Sequence, residues 1–162
     1  MHTVRVLPCG IQDGQSSHRG TVLQIENNAA NAELVSKIIA RRADLTLLTA
    51  VDGIKGLAMA RTSLPDVILM DMVMPGMTGY ETLILLRENA KTCHIPVMIL
   101  TSSAVPSQQQ KCLDAGAFGY LTKPYRIDDL MALIDTALHA VNLRRNRIGL
   151  QQHREEVDRI RV

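Results

Sequence analysis

Apolar positions along this chain alternate between short unbroken runs and longer stripes at helical spacing. Val67-Ile68-Leu69-Met70 is apolar throughout, too short for a buried helix, and bounded by Pro65 and Pro75-Gly76. That pattern predicts a central strand covered on both faces. Thr21 to Ile25, Leu45 to Thr49, Val97 to Leu100 and Phe118 to Leu121 predict four more strands, with Pro96 just before the fourth, where a strand tolerates it. Between them run stripes of another period. Leu34, Val35, Ile38 and Ile39 mark one helix with Asn28 as its N-cap, and Ile54, Leu57 and Ala58 mark a second over about 53–63. Thr78-Gly79-Tyr80-Glu81 is a capping box that starts a third. Pro106 and Gly116 bracket a fourth, and Ile127, Leu130, Ile134, Ala137, Leu138 and Val141 line a fifth. Five strands alternating with five helices predict an α/β fold: a doubly wound, five-stranded parallel sheet with right-handed crossovers and helices on both faces.

Composition adjusts this picture in two places. With 162 residues and 46% hydrophobic content the chain suits one domain and some tail, and with no Trp and one Phe its core must be aliphatic and Met-rich. The formal charge of +2 hides a split: residues 21–140 carry ten Lys/Arg against twelve Asp/Glu, residues 141–162 six Arg against three acids. The expected organisation is a flexible leader over 1–20, a globular domain over 21–140 and a basic extension over 141–162. Continuing the last helix is one reading of that extension, weakened by Gly149 and irregular apolar spacing; a dimerisation segment and a linker stub are others. About 22 irregular residues hold no helix-turn-helix or other nucleic-acid reader, so direct nucleic-acid binding is not expected from Arg144, Arg145, Arg147, Arg154, Arg159 and Arg161. Cys9, Cys93 and Cys112 lack metal-type spacing. No apolar run approaches the ~18 residues of a membrane span, and no signal-peptide pattern opens the chain. A cytoplasmic protein is expected.

Chemistry enters where the strands stop. Asp71 ends the central apolar run, and in open parallel sheets the ligand crevice lies outside the carboxyl ends of the strands. An acid there is a candidate nucleophile or metal ligand; a solvated strand-end acid is the plainer reading. Glu26 and Asn27 follow the first strand, Thr101 the fourth and Lys123 the fifth. Two carboxylates and a carboxamide suit a hard cation such as Mg²⁺, while a hydroxyl and an ammonium suit phosphoryl oxygens. Singly, Thr101 is a β-former, Lys123 a surface charge, Tyr120 a packed strand residue, and the methionines around Asp71 core filling.

Together, strand-Glu-Asn-Asn, Asp-Met-Val-Met-Pro-Gly-Met-Thr-Gly-Tyr, strand-Thr-Ser and Gly-Tyr-Leu-Thr-Lys-Pro resemble the receiver domain of two-component response regulators over about residues 21–140. The resemblance implies a flavodoxin-like sheet of order 2-1-3-4-5 and an acceptor role for Asp71, taking a phosphoryl group from a histidine kinase or phosphotransfer protein. It implies Mg²⁺ held by Asp71, the Val73 backbone carbonyl and the pocket of Glu26 and Asn27. Lys123 and Thr101 would contact phosphoryl oxygens, with Tyr120 changing rotamer behind Thr101. It also implies a cis Lys123-Pro124 bond. The output would be a contact with a downstream protein through the fourth helix, fifth strand and fifth helix, or with a second copy of the chain.

Two positions depart from the family pattern. Asn27 stands where a second acid is usual, which removes one of three anions and predicts weaker Mg²⁺ binding. Val73 stands where a polar side chain often positions hydrolytic water, which predicts a long-lived phosphorylated form. The same Val73 argues against a phosphatase with an aspartate nucleophile, whose general acid would occupy that place. No Gly-rich phosphate loop follows a strand, against a nucleotide-binding enzyme. The expected protein is therefore a phosphoacceptor that assists its own phosphotransfer and dephosphorylation, without being a turnover enzyme. The alternative is a pseudo-receiver, a phosphorylation-independent binding module, resting on Asn27 alone.

Overall fold

A computed structural model describes residues 19–160, with side chains to residue 152. Most of the expected leader, and Arg161, lie outside the described residues. In chain order the elements are β1 (Gly20–Ile25), α1 (Ala29–Ile39), β2 (Leu45–Ala50), α2 (Gly53–Ser63), β3 (Val67–Asp71), α3 (Gly79–Glu88), β4 (Val97–Thr101), α4 (Pro106–Asp114), β5 (Gly119–Thr122) and α5 (Ile127–Ile160). The strands form one parallel sheet of order β2-β1-β3-β4-β5, as expected from the resemblance.

The sheet's alternation divides the core in two. Leu23, Ile25, Ile68, Met70 and Ile99 pack on one face with Leu57 of α2, Leu83 and Leu86 of α3 and Cys112 of α4. Val22, Val67, Leu69, Met98 and Leu121 pack on the other with Val35 and Ile38 of α1 and Leu130, Leu133 and Ile134 of α5. Every residue of β3 and β4 is buried, which is why their sequences read as unbroken apolar runs. β2 lies at the edge and is only partly buried.

Local chemistry fixes where each helix begins. The Asn28 side chain accepts from the backbone N–H groups of Ala30 and Asn31 at 3.0 and 3.1 Å. Asp52 caps α2 through Lys55 N–H at 2.7 Å. At α3 the capping box is complete: Glu81 N–H donates to the Thr78 hydroxyl, and Thr78 N–H to the Glu81 carboxylate at 2.8 Å. Pro106 opens α4 without a side-chain cap, and Gly116 follows its end at a φ of +93° that L side chains rarely adopt.

Of the readings left open for the extension, the structure shows the continued helix: α5 runs unbroken past Val141 and through Gly149 to Ile160. One glycine costs roughly 1 kcal/mol relative to alanine in a helix interior, too little to end a helix whose first turns are anchored in the core. β5 begins one residue later than expected, because Phe118 N–H bonds Val97 before regular pairing starts at Gly119.

Candidate functional site

The carboxyl ends of β1, β3 and β5 bring Glu26, Asp71 and Lys123 into one cluster. β1 and β3 are neighbours, so Glu26, one residue past β1, stands beside the end of β3 where Asp71 sits. Lys123 follows β5 and reaches across. Its ammonium lies 2.7 Å from Glu26 Oε2 and 3.5 Å from Asp71 Oδ1. Glu26 is 4% exposed, and its other oxygen accepts the Asn28 N–H at 3.0 Å. Asp71 is 8% exposed and its Oδ1 accepts the Met72 N–H at 2.8 Å.

Two acids here share one ammonium, so the cluster carries net negative charge. Burial pushes the Asp71 carboxyl above its ordinary value; Lys123 pulls it back, and Glu26 adds to the rise. Tyr125, which the sequence reading did not single out, stands in the same field. Its phenol is shifted up first by burial, then by Glu26 and Asp71. Only its place two residues after Lys123 signalled it, and an aromatic there reads equally well as core.

The backbone behind Asp71 is tightly folded. Gly79 N–H donates to Met72 O at 3.1 Å, and a Cβ at Gly79 would overlap the Asp71 carbonyl oxygen. The Gly of the Thr-Gly-Tyr segment is thus demanded by close approach of α3 to the acid-bearing strand end. Lys123-Pro124 is cis, as the resemblance implied.

A second group lies one strand over. Thr101 is 1% exposed at the end of β4, and its hydroxyl oxygen accepts Ser103 N–H at 3.1 Å. The Tyr120 side chain is buried, and its hydroxyl donates to Ser103 O at 2.8 Å beside the Thr101 hydroxyl. Burial raises the Tyr120 phenol above its ordinary value. Lys123 N–H donates to Thr101 O at 2.7 Å, so backbone pairing joins this group to the acid cluster. Of the remaining two positions, Asn27 is exposed, and Val73 is 71% exposed while its backbone N–H bonds the Asp71 carboxylate.

A hard cation is the metal these donors fit. No group of three His, Cys, Asp or Glu residues gathers among the described residues. Two carboxylates, a carboxamide and a backbone carbonyl offer oxygen alone, and Mg²⁺ takes few protein oxygens while keeping several waters.

The family model for the response regulator receiver domain matches residues 22–135. The chain belongs to that family. It is a receiver domain of two-component signalling. The response regulator PleD of Caulobacter vibrioides is 39% identical over 111 residues, covering 68% of this chain and 24% of PleD. This receiver chain thus spans about a quarter of that relative. The chemotaxis protein CheY4 of Vibrio cholerae superposes with a TM-score of 0.69 at 29% identity, over 74% of this chain and 98% of that one. The receiver domain of the sensor histidine kinase PA1611 from Pseudomonas aeruginosa, which carries a magnesium ion coordinated in its active site cleft, gives a TM-score of 0.68 at 26% identity, over 74% and 98%. Nothing in these likenesses supports the pseudo-receiver alternative. No helix among the described residues is long and apolar enough to cross a membrane.

Proposed function

We propose that Asp71 is the phosphoryl acceptor of this receiver, and that a histidine kinase or phosphotransfer protein supplies the group. The observation that carries this reading is the ammonium of Lys123 held 2.7 Å from Glu26 and 3.5 Å from Asp71 at the carboxyl edge of the sheet. A carboxylate oxygen of Asp71 attacks the phosphorus of a phosphohistidine. The O–P bond forms as the P–N bond breaks, and the imidazole nitrogen keeps the electron pair and takes a proton from solvent. Lys123 then pairs with a phosphoryl oxygen, exchanging its carboxylate contact for a more highly charged partner.

Asp71, the Val73 carbonyl and Asn27, with Glu26 behind them, are the groups we assign to Mg²⁺. When bound there, Mg²⁺ would supply positive charge to offset that of the phosphoryl oxygens. Thr101 turns toward the phosphoryl group, which releases its hold on Ser103 N–H and leaves Tyr120 to follow. That couples a new charge at one strand end to the surface of α4, β5 and α5, where a downstream protein binds. We assign residues 21–140 to the receiver unit, residues 141–162 to an extension, and the whole to the cytoplasm.

The test is intact mass after incubation with acetyl phosphate, with and without Mg²⁺, for the wild type and Asp71→Ala. A Mg²⁺-dependent gain of one phosphoryl group that the variant lacks is expected. No adduct at saturating Mg²⁺ would instead favour a phosphorylation-independent module. Val73 offers no polar group to orient water at the adduct, so the phosphoryl group is expected to persist well beyond seconds once donor is removed. Loss within seconds would overturn that expectation.

A further inference from the structure

The end of the sheet opposite Asp71 carries a second opening. Because α5 continues past the last core turn, it stands over the amino-terminal edges of β4 and β5 and faces the end of α4. A cleft of about 840 Å³ lies between them. Its walls are apolar, with Phe118, Pro96 and Ala140 among them, and two guanidiniums line it, Arg87 and Arg144, together with the His94 imidazole. No acid lines it among the described residues. Asp114 of α4 accepts from Gln110 at 2.7 Å and borders a separate groove beside Tyr80 and Lys111.

The arginines of the cleft differ from others nearby. Arg42 pairs with Asp44 and Asp135, and Arg145 with Asp66. Among the described residues Arg87 has neutral partners alone: its Nε donates to Gly116 O at 3.0 Å, and its Nη1 to Cys93 O and Ile95 O at 3.1 and 3.0 Å. Neither Arg87 nor Arg144 forms an ion pair among the described residues. Burial lowers the His94 imidazole below its ordinary value, and Arg144, Arg145 and Arg87 lower it further. The two guanidiniums therefore stand at a largely apolar cleft with no acid opposite them among the described residues, and His94 adds a neutral imidazole that can donate an N–H.

We propose that this cleft binds a small organic anion: a carboxylate, sulfonate or phosphate on a flat apolar body. The charged group sits among Arg144, His94 and the unused nitrogen of Arg87, and the body lies against Phe118. Such a ligand would bridge α4 to the projecting part of α5, two elements at the end of the domain remote from the acceptor.

The probe is 1-naphthalenesulfonate, titrated calorimetrically into the full chain, with 1-naphthalenemethanol and sulfate as the body and charge alone. Binding of one sulfonate per chain is expected, with each control at least about tenfold weaker. Arg144→Gln, an exposed substitution that leaves the core untouched, is expected to weaken the sulfonate about tenfold. Ala140→Leu narrows the cleft and is expected to weaken it further, with Mg²⁺-dependent phosphoryl uptake unchanged. Backbone NMR shifts should centre on His94, Phe118 and Arg144. No binding, equal affinity for sulfonate and alcohol, several sulfonates per chain, or an unchanged affinity in Arg144→Gln would each overturn the proposal.

Discussion

β3 begins and ends beside a buried aspartate, and the two ends of the strand put the same side chain to opposite uses. At the amino-terminal end, Asp66 accepts the Thr21 N–H at 2.7 Å and faces Arg145 of α5 at 2.6 Å, in a close charge contact. One carboxylate meets one guanidinium there and also fastens β1 to β3. At the carboxyl end, Asp71 shares Lys123 with Glu26, and Lys123 is closer to Glu26. One end is matched in charge, acid to guanidinium. The other is left with an excess of negative charge at the mouth of the sheet. The difference separates an acid that holds the fold from an acid whose unsatisfied charge is available to a cation or a phosphoryl group.

The largest effect should come from deleting the matched acid. Asp66→Ala leaves a part-buried Thr21 N–H without its acceptor, a loss of about 2 kcal/mol, or a fall of roughly 4–8 °C in Tm for a chain of this size. Arg145→Ala removes only a half-exposed charge and should cost under about 1 kcal/mol. Thermal denaturation of the two variants checks the comparison. Equal losses would mean that the ion pair, and not the strand contact, is what Asp66 provides.

The next effect belongs to the unmatched end. Asn27→Asp restores a third anion at the mouth of the site. A unit charge about 4 Å from a divalent ion is worth about 2 kcal/mol even at the dielectric of water. Titration of Mg²⁺ should therefore show affinity raised at least about tenfold. An unchanged affinity would mean that residue 27 does not reach the ion, and that Asp71, Val73 and Glu26 define the site without it.

Much of this contrast was legible in the sequence, and the part that was not has a physical cause. Strand ends are visible because an apolar run stops at a polar residue, and parallel strands carry those ends to one edge. Glu26, Asp71 and Lys123 therefore met as expected, and Thr101 and Tyr120 fell together one strand over. The caps at Asn28 and Thr78 were legible for a related reason, since their bonds close within three residues. Asp66 gave no such signal. After Pro65 it looks like a loop acid, and its partners come from β1 and from a helical turn far along the chain. Arg144 and Arg145 looked like members of a solvated basic run. Once α5 continued past Val141, helical geometry turned one toward Asp66 and left the other lining a cleft. The outcome at Gly149 also depended on context, because the anchored turns before it outweigh the cost of one glycine.

The smallest effect, and the one most specific to the contrast, has the opposite sign to the first. Burial raises the Asp71 carboxyl above its ordinary value of 3.8, so the folded state holds that proton more tightly than the unfolded chain does. Stability from this group is unpenalised below the ordinary value, declines as pH rises through the raised folded-state value, and carries the full penalty above it. Asp71→Asn keeps the shape and removes the charge, leaving Lys123 to Glu26. The variant should therefore be more stable than the wild type at pH 7, read as a higher Tm. Below pH 3.8 the gap should close, because the wild-type carboxyl is then protonated in both states. A gap that stays constant with pH would trace the gain to packing or to the amide's hydrogen bonds. A gap of opposite sign at pH 7 would show that Lys123 already satisfies Asp71, and the two ends of β3 would then be alike. The closing of the gap in acid distinguishes an acid kept charged at a cost from one that the fold rests on.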